Sequence, residues 1–245
     1  MSNNSIYFKN SLGKNIFCFL HQPDIPHKKI VIMSHGFEGT STGDSRAFVN
    51  FARMLVAHDI TVLRFDQPNC GNSDGDFLDV SFDEWINTIA YHAKKYTTQG
   101  YQVALLGNSM GATASVVAAA RKELQDKIVC LLLWVPDPKT TFTDPVDPHA
   151  IYEEGGEQFR ASFWQEAKQS GFFDALQRYT RGIHLVYGEH DRYITKEIRQ
   201  EVIEKVREKG QPVMILPGQN HSLWSYDCFQ QVFQHELKKL DECFF

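Results

Sequence analysis

Short, wholly apolar runs alternate along this chain with stretches whose apolar residues recur every three or four positions. Ser5 to Gln22 alternates around Leu12-Gly13-Lys14, which predicts an antiparallel hairpin. KIVIMS (29–34), ITVLRFD (60–66), VALL (103–106), Ile128 to Val135, IHLVY (183–187) and Pro212 to Leu216 predict strands, several of them apolar enough to be buried on both faces. Phe48, Phe51, Ala52 and Leu55 repeat at a helical period within Ser45 to His58. Ser81-Phe82-Asp83-Glu84 has the form of a capping box and opens a helix through Trp85, Ile89, Ala93 and Tyr96 to near Gly100. Another helix begins at Met110. Thr195 caps one through Ile198, Val202 and Val206 that Gly210 stops, and the last carries Phe229, Phe233, Leu237 and Leu240. This alternation predicts an α/β protein, a mostly parallel central sheet with helices on both faces, in one domain spanning 1–245.

Two stretches depart from the alternation. QPNCGNSDGDF, after the strand ending at Asp66, is too polar and Gly-rich to form an element. Asp137 to Gly182 opens with PDPKTTFTDPVDPHA and then becomes helical around Phe159, Phe163, Ala167, Phe173 and Leu176. Lying between two strands, it predicts a small helical cap above the strand ends. On that reading Phe159, Phe163, Trp164, Phe172 and Phe173 wall a substrate pocket. The alternative is a long crossover whose rings are simply core.

Composition narrows the function. The formal net charge is −5, which speaks against nucleic acid or an anionic membrane as partner. No run of 18 or more apolar residues occurs, so no stable membrane association is expected. The first residues lack the basic region and apolar run of a signal peptide, and the five scattered cysteines lack metal-like spacing. A cytoplasmic protein without metal or cofactor is the expectation. Its partner would be a small molecule, with the oligomeric state open, a homodimer included.

The candidate chemistry lies in Gly107-Asn108-Ser109-Met110-Gly111, a G-x-S-x-G between a strand and a helix. Three fixed positions match by chance about 0.1 times in a chain of this length, so the flanking elements carry much of the weight. A serine on so sharp a turn projects its hydroxyl above the sheet, and the helix start offers free N–H groups to a developing negative charge. Such a nucleophile needs a base and an acid to orient that base. Both belong at the C-terminal ends of strands, where ligands bind in such sheets. Asp191 follows IHLVY and His221 follows the strand ending at Leu216, in the order Ser, Asp, His. Glu189 is the alternative acid. His35 is read as holding its loop, and Asp66 as a loop anchor.

These features resemble the α/β-hydrolase superfamily: His35-Gly36-Phe37, Gly107-Asn108-Ser109-Met110-Gly111, Gly188-Glu189-His190-Asp191 and the His221 loop. MSHGFEGT, RFDQPNCGNSDGDF and the short cap look most like the small cinnamoyl/feruloyl-type carboxylesterases. Asn108 stands where those enzymes usually carry histidine, and Cys70-Gly71-Asn72-Ser73 departs from their usual loop. The resemblance implies an acyl-enzyme mechanism on small or aromatic carboxylic esters, with Ser109, His221 and Asp191 as triad. It implies the Phe37 and Met110 N–H groups as oxyanion donors and no cofactor. A thioesterase or acylglycerol hydrolase is the neighbouring alternative, and a non-catalytic binding protein on the same fold the remote one.

Overall fold

The N-terminal hairpin pairs β1 (Ser2–Lys9) with β2 (Asn15–Gln22). There follow β3 (Lys29–Ser34), α1 (Ala47–Ala57), β4 (Thr61–Phe65), α2 (Phe82–Thr98), β5 (Gln102–Asn108), α3 (Met110–Ala119) and β6 (Ile128–Trp134). Next come a second hairpin, β7 (Ile151–Glu154) and β8 (Glu157–Arg160), then α4 (Ser162–Gln169) and α5 (Phe172–Arg178). The chain closes with β9 (Gly182–Gly188), α6 (Lys196–Glu208), β10 (Val213–Leu216) and α7 (Tyr226–Cys243). The computed structural model describes residues 2–10, 12–25, 27–138 and 147–244. Residues 139–146, the center of the Pro- and Asp-rich stretch, lie outside them.

Among the described residues eight strands form one sheet in the order β1-β2-β4-β3-β5-β6-β9-β10. The pairs β1–β2 and β2–β4 are antiparallel and the others parallel. The apolar runs occupy its middle: β4 is buried along its whole length, and β3 and β5 nearly so. α1 and α7 cover one face, and α2, α3 and α6 the other. α3 is built of small residues and almost all of it is buried, which lets its axis come close to β5 and β6. The predicted N-caps hold, since Ser81 Oγ accepts from Glu84 N and Thr195 Oγ1 from Ile198 N, but the capping box does not close: the Glu84 carboxylate accepts instead from Asn10 Nδ2 and Lys14 Nζ. Among the described residues no helix is long and apolar enough to cross a membrane.

The segment between β6 and β9 is where structure and expectation part. Phe159 lies on a strand, not a helix. Gly155 and Gly156, both at positive φ, turn the chain so that Tyr152 pairs with Phe159 across the hairpin, their rings stacked at 5.9 Å. The Gly-Gly between these two four-residue strands is a hairpin signal that the run of aromatic residues obscured. The polar loop after β4 also contains one turn of 3₁₀ helix, Phe77–Asp79, capped by Asp76, and β8 packs against it.

Candidate active site

Ser109 joins β5 to α3 with φ 53° and ψ −122°, a conformation L residues rarely adopt, costing about 1–3 kcal/mol. Its N–H donates to the Trp134 carbonyl at 2.8 Å, and its carbonyl accepts from Ala112 N–H at 2.9 Å. The flanking glycines answer a steric demand. A β-carbon at 107 would run into Ala112 Cα and the Gly111 carbonyl, and one at 111 into the carbonyls of Ser34 and His35. Only a bare backbone lets α3 start this close to β3 and β5.

β5 and β9 flank β6, so the loops after β9 and β10 open on the same edge of the sheet as Ser109. There the imidazole of His221 bridges the other two groups. Its Nδ1 lies 2.7 Å from Asp191 Oδ2, and its Nε2 lies 2.9 Å from Ser109 Oγ. A carboxylate at Nδ1 assigns the proton there, leaving Nε2 to accept from the serine hydroxyl. The Asp191 side chain is fully buried, and its Oδ1 accepts from Tyr193 N at 2.9 Å and Ile194 N at 3.0 Å. Burial pushes this carboxyl up. The His221 hydrogen bond and charge, with the two backbone donors, outweigh it and hold Asp191 below the usual carboxylate range. Glu189 faces elsewhere: its Oε2 accepts from Gly218 N at 2.8 Å. His190 is largely exposed.

His35 is buried, and both ring nitrogens are engaged. Nε2 accepts from Gln67 N at 2.8 Å, so Nδ1 carries the proton and donates to the Gly36 carbonyl at 2.8 Å. Burial lowers its pKa, against the Gly36 carbonyl and two aspartates, which keeps the ring neutral. Gly39 N donates to the same carbonyl at 3.1 Å. In a trans peptide the C=O and the following N–H point opposite ways. Pinning the Gly36 carbonyl therefore sets the direction of the Phe37 N–H. Neither Phe37 N–H nor Met110 N–H has a partner among the described residues. Asp66 anchors the adjoining loops, accepting from Ser41 N at 2.6 Å and Asn72 N at 2.8 Å.

A cavity of about 340 Å³ contains this array, with Phe37, Ser109, Met110, Trp164, Tyr193 and His221 among its walls. Of the five rings expected to wall the pocket, Trp164 alone lines this cavity. Phe159, Phe163 and Phe172 are buried, and Phe173 packs partly buried against the core. Three of the five, Trp164 included, meet on Phe37, at centroid distances of 4.5 Å (Trp164), 4.8 Å (Phe159) and 5.0 Å (Phe163), with Phe77 at 5.1 Å. They buttress Phe37, which shares the cavity with the serine. Tyr193, whose ring lies 5.3 Å from that of His221, had no signal in the sequence beyond standing two residues after Asp191. Among the described residues no group of three or more His, Cys, Asp or Glu could hold a metal ion.

A mostly parallel sheet with a strained serine at its central strand-to-helix turn, faced by histidine and aspartate from later strand ends, defines a class of protein. The chain belongs to the alpha/beta hydrolase family, whose model matches residues 31–234. Human monoglyceride lipase is 30% identical over 140 residues, covering 54% of this chain and 45% of the lipase. The match thus spans less than half the length of that relative. Among solved structures, Est1E from Butyrivibrio proteoclasticus with ferulic acid bound superposes with a TM-score of 0.81 at 21% identity, covering 96% of this chain and 99% of Est1E. The alpha/beta hydrolase GrgF from Penicillium sp. sh18 gives a TM-score of 0.81 at 16% identity, with 99% of each chain covered. At these identities the structural likeness speaks for the fold.

Proposed function

We propose that the protein hydrolyses carboxylic esters with small or aromatic acyl groups through a Ser109 acyl-enzyme. The observation that carries this reading is the bridge made by His221, 2.9 Å from the serine hydroxyl and 2.7 Å from the buried Asp191. Ser109 Oγ attacks the ester carbonyl as His221 Nε2 takes its proton. Asp191 stabilises the resulting imidazolium. The carbonyl oxygen, now negative, is received by the N–H groups of Phe37 and Met110, each such donor being worth about 3 kcal/mol in the transition state. His221 returns the proton to the leaving alcohol. Water then repeats the sequence on the acyl-enzyme, releasing the acid and regenerating the hydroxyl.

The cavity volume of about 340 Å³ lies at the small end of the range for small-molecule sites, which supports a compact substrate. The likeness to monoglyceride lipase favours a second reading, hydrolysis of a monoacylglycerol, which uses the same chemistry. A fluorophosphonate probe should label wild type and leave Ser109→Ala unlabelled, and a series of esters and thioesters of increasing acyl length should peak at short or aromatic acyl groups. Absence of labelling refutes the serine mechanism. A maximum near sixteen carbons refutes the compact substrate in favour of the acylglycerol.

A further inference from the structure

The walls of the reactive cavity are charged in one sense. Glu38, Asp44, Asp137 and Glu154 all line it, and among the described residues no lysine or arginine does. Glu38, Asp44 and Glu154 make no ion pair among the described residues. Glu38 directly follows Phe37, and its carboxylate lies against Gly155 at the tip of the β7–β8 hairpin. A β-carbon there would stand 2.8 Å from each carboxylate oxygen. Burial, followed by the charges of Glu154 and Glu157, pushes the Glu38 carboxyl up, so like charges are brought together with no compensating cation among the described residues. The rings of Trp164 and Tyr193 line the same space, and aromatic faces attract cations. Negative charge on the walls of a cleft focuses its field on whatever enters.

We propose that this cavity selects esters carrying a positive charge, an amine or quaternary ammonium on the acyl or alcohol side, and discriminates against anionic ones. The inference rests on the ester-hydrolase reading. With the carbonyl at Phe37 N–H, the next groups of the substrate meet Glu38 and the hairpin carboxylate Glu154. These two side chains are the specificity-determining residues.

The test compares kcat/KM for three esters of one acyl group: the choline ester, its neutral tert-butyl isostere and a carboxylate-bearing ester of similar size. The expected order is cation, neutral, anion, with the cation ahead of the isostere by about fivefold at low salt. That advantage should collapse at about 0.5 M salt, where screening acts over roughly 4 Å. In Glu154→Gln and Glu38→Gln it should shrink while the neutral ester reports any general loss of activity. Choline should also slow fluorophosphonate labelling of Ser109 more than its tert-butyl isostere does, a binding readout independent of turnover. Equal constants for cation and isostere, unchanged by salt and by both variants, overturn the inference while ester hydrolysis stands. Failure to label Ser109, with none of the esters cleaved, overturns the ester-hydrolase reading and the inference with it.

Discussion

Replacing Asp191 by asparagine tests the site at its most determined point, because the structure dictates which way the new amide faces. Oδ1 of Asp191 accepts from two backbone N–H groups, those of Tyr193 and Ile194. An asparagine must keep its carbonyl oxygen there, since an NH₂ group facing two donors would leave three buried donors unpaired. Its NH₂ then occupies the place of Oδ2, 2.7 Å from His221 Nδ1. Nδ1 becomes the acceptor, and the ring proton moves to Nε2, the nitrogen 2.9 Å from Ser109 Oγ. A protonated Nε2 cannot accept the serine proton. In the serine-protease triad the same exchange lowers kcat by about 10⁴, equivalent to about 5.5 kcal/mol of barrier, and a loss of that order is expected here. Both backbone hydrogen bonds survive, so the protein should stay folded, with a modest loss of stability because the carboxylate charge that the fold favours is removed. The assay pairs kcat on a short-chain ester with urea unfolding and with ¹⁵N NMR of the His221 ring. A fall in kcat of less than tenfold, or an Nε2 that stays unprotonated in the variant, refutes the reasoning.

Three further outcomes can be checked. Ser109→Gly should be inactive yet more stable than wild type by about 1 kcal/mol in urea melts, because glycine accepts the φ of 53° at Ser109 without strain. Phe163→Ala, at a fully buried ring touching Phe37 and Trp85, should cost about 3–5 kcal/mol, whereas Trp164→Ala should shift the ratio of kcat/KM between aromatic and alkyl esters at a smaller cost in stability. Stability should fall on acidification from pH 6.5 to 5. Burial, with Lys95, lowers His92 to about 3, and burial, with Arg64, lowers His21 to about 4. These depressed values mean that the unfolded chain binds protons first, so each histidine removes about 2 kcal/mol by pH 5. His184, raised because Glu236 overcomes its burial, offsets part of this loss. Urea midpoints at pH 7 and 5 should differ less in His92→Leu than in wild type, and an equal difference in both would exclude His92 as a source.

The sequence by itself determined the strands of the central sheet, the main helices, and the turn at Ser109. These are local properties: a two-sided apolar run can be buried only inside a sheet, and G-x-S-x-G between such a run and a small-residue helix has few other conformations. The order Ser109, Asp191, His221 was legible for the same reason, since each residue follows its own strand. Their convergence was expected only through the resemblance, because it depends on β5, β6, β9 and β10 being neighbours in the sheet, a pairing between residues far apart in the chain. The aromatic residues after Asp137 show the limit most plainly. Their number announced a cluster, but a ring packs equally well against a substrate or against Phe37. Only the path of the β7–β8 hairpin, turning at Gly155 and Gly156, sends Phe159 into the buttress. The α4 helix that follows presents Phe163 to the core and Trp164 to the cavity. The carboxylates of the rim were visible only as part of a net charge. Tertiary structure gathers Glu38 and Glu154 on one cavity wall because the hairpin tip packs against the loop that follows β3.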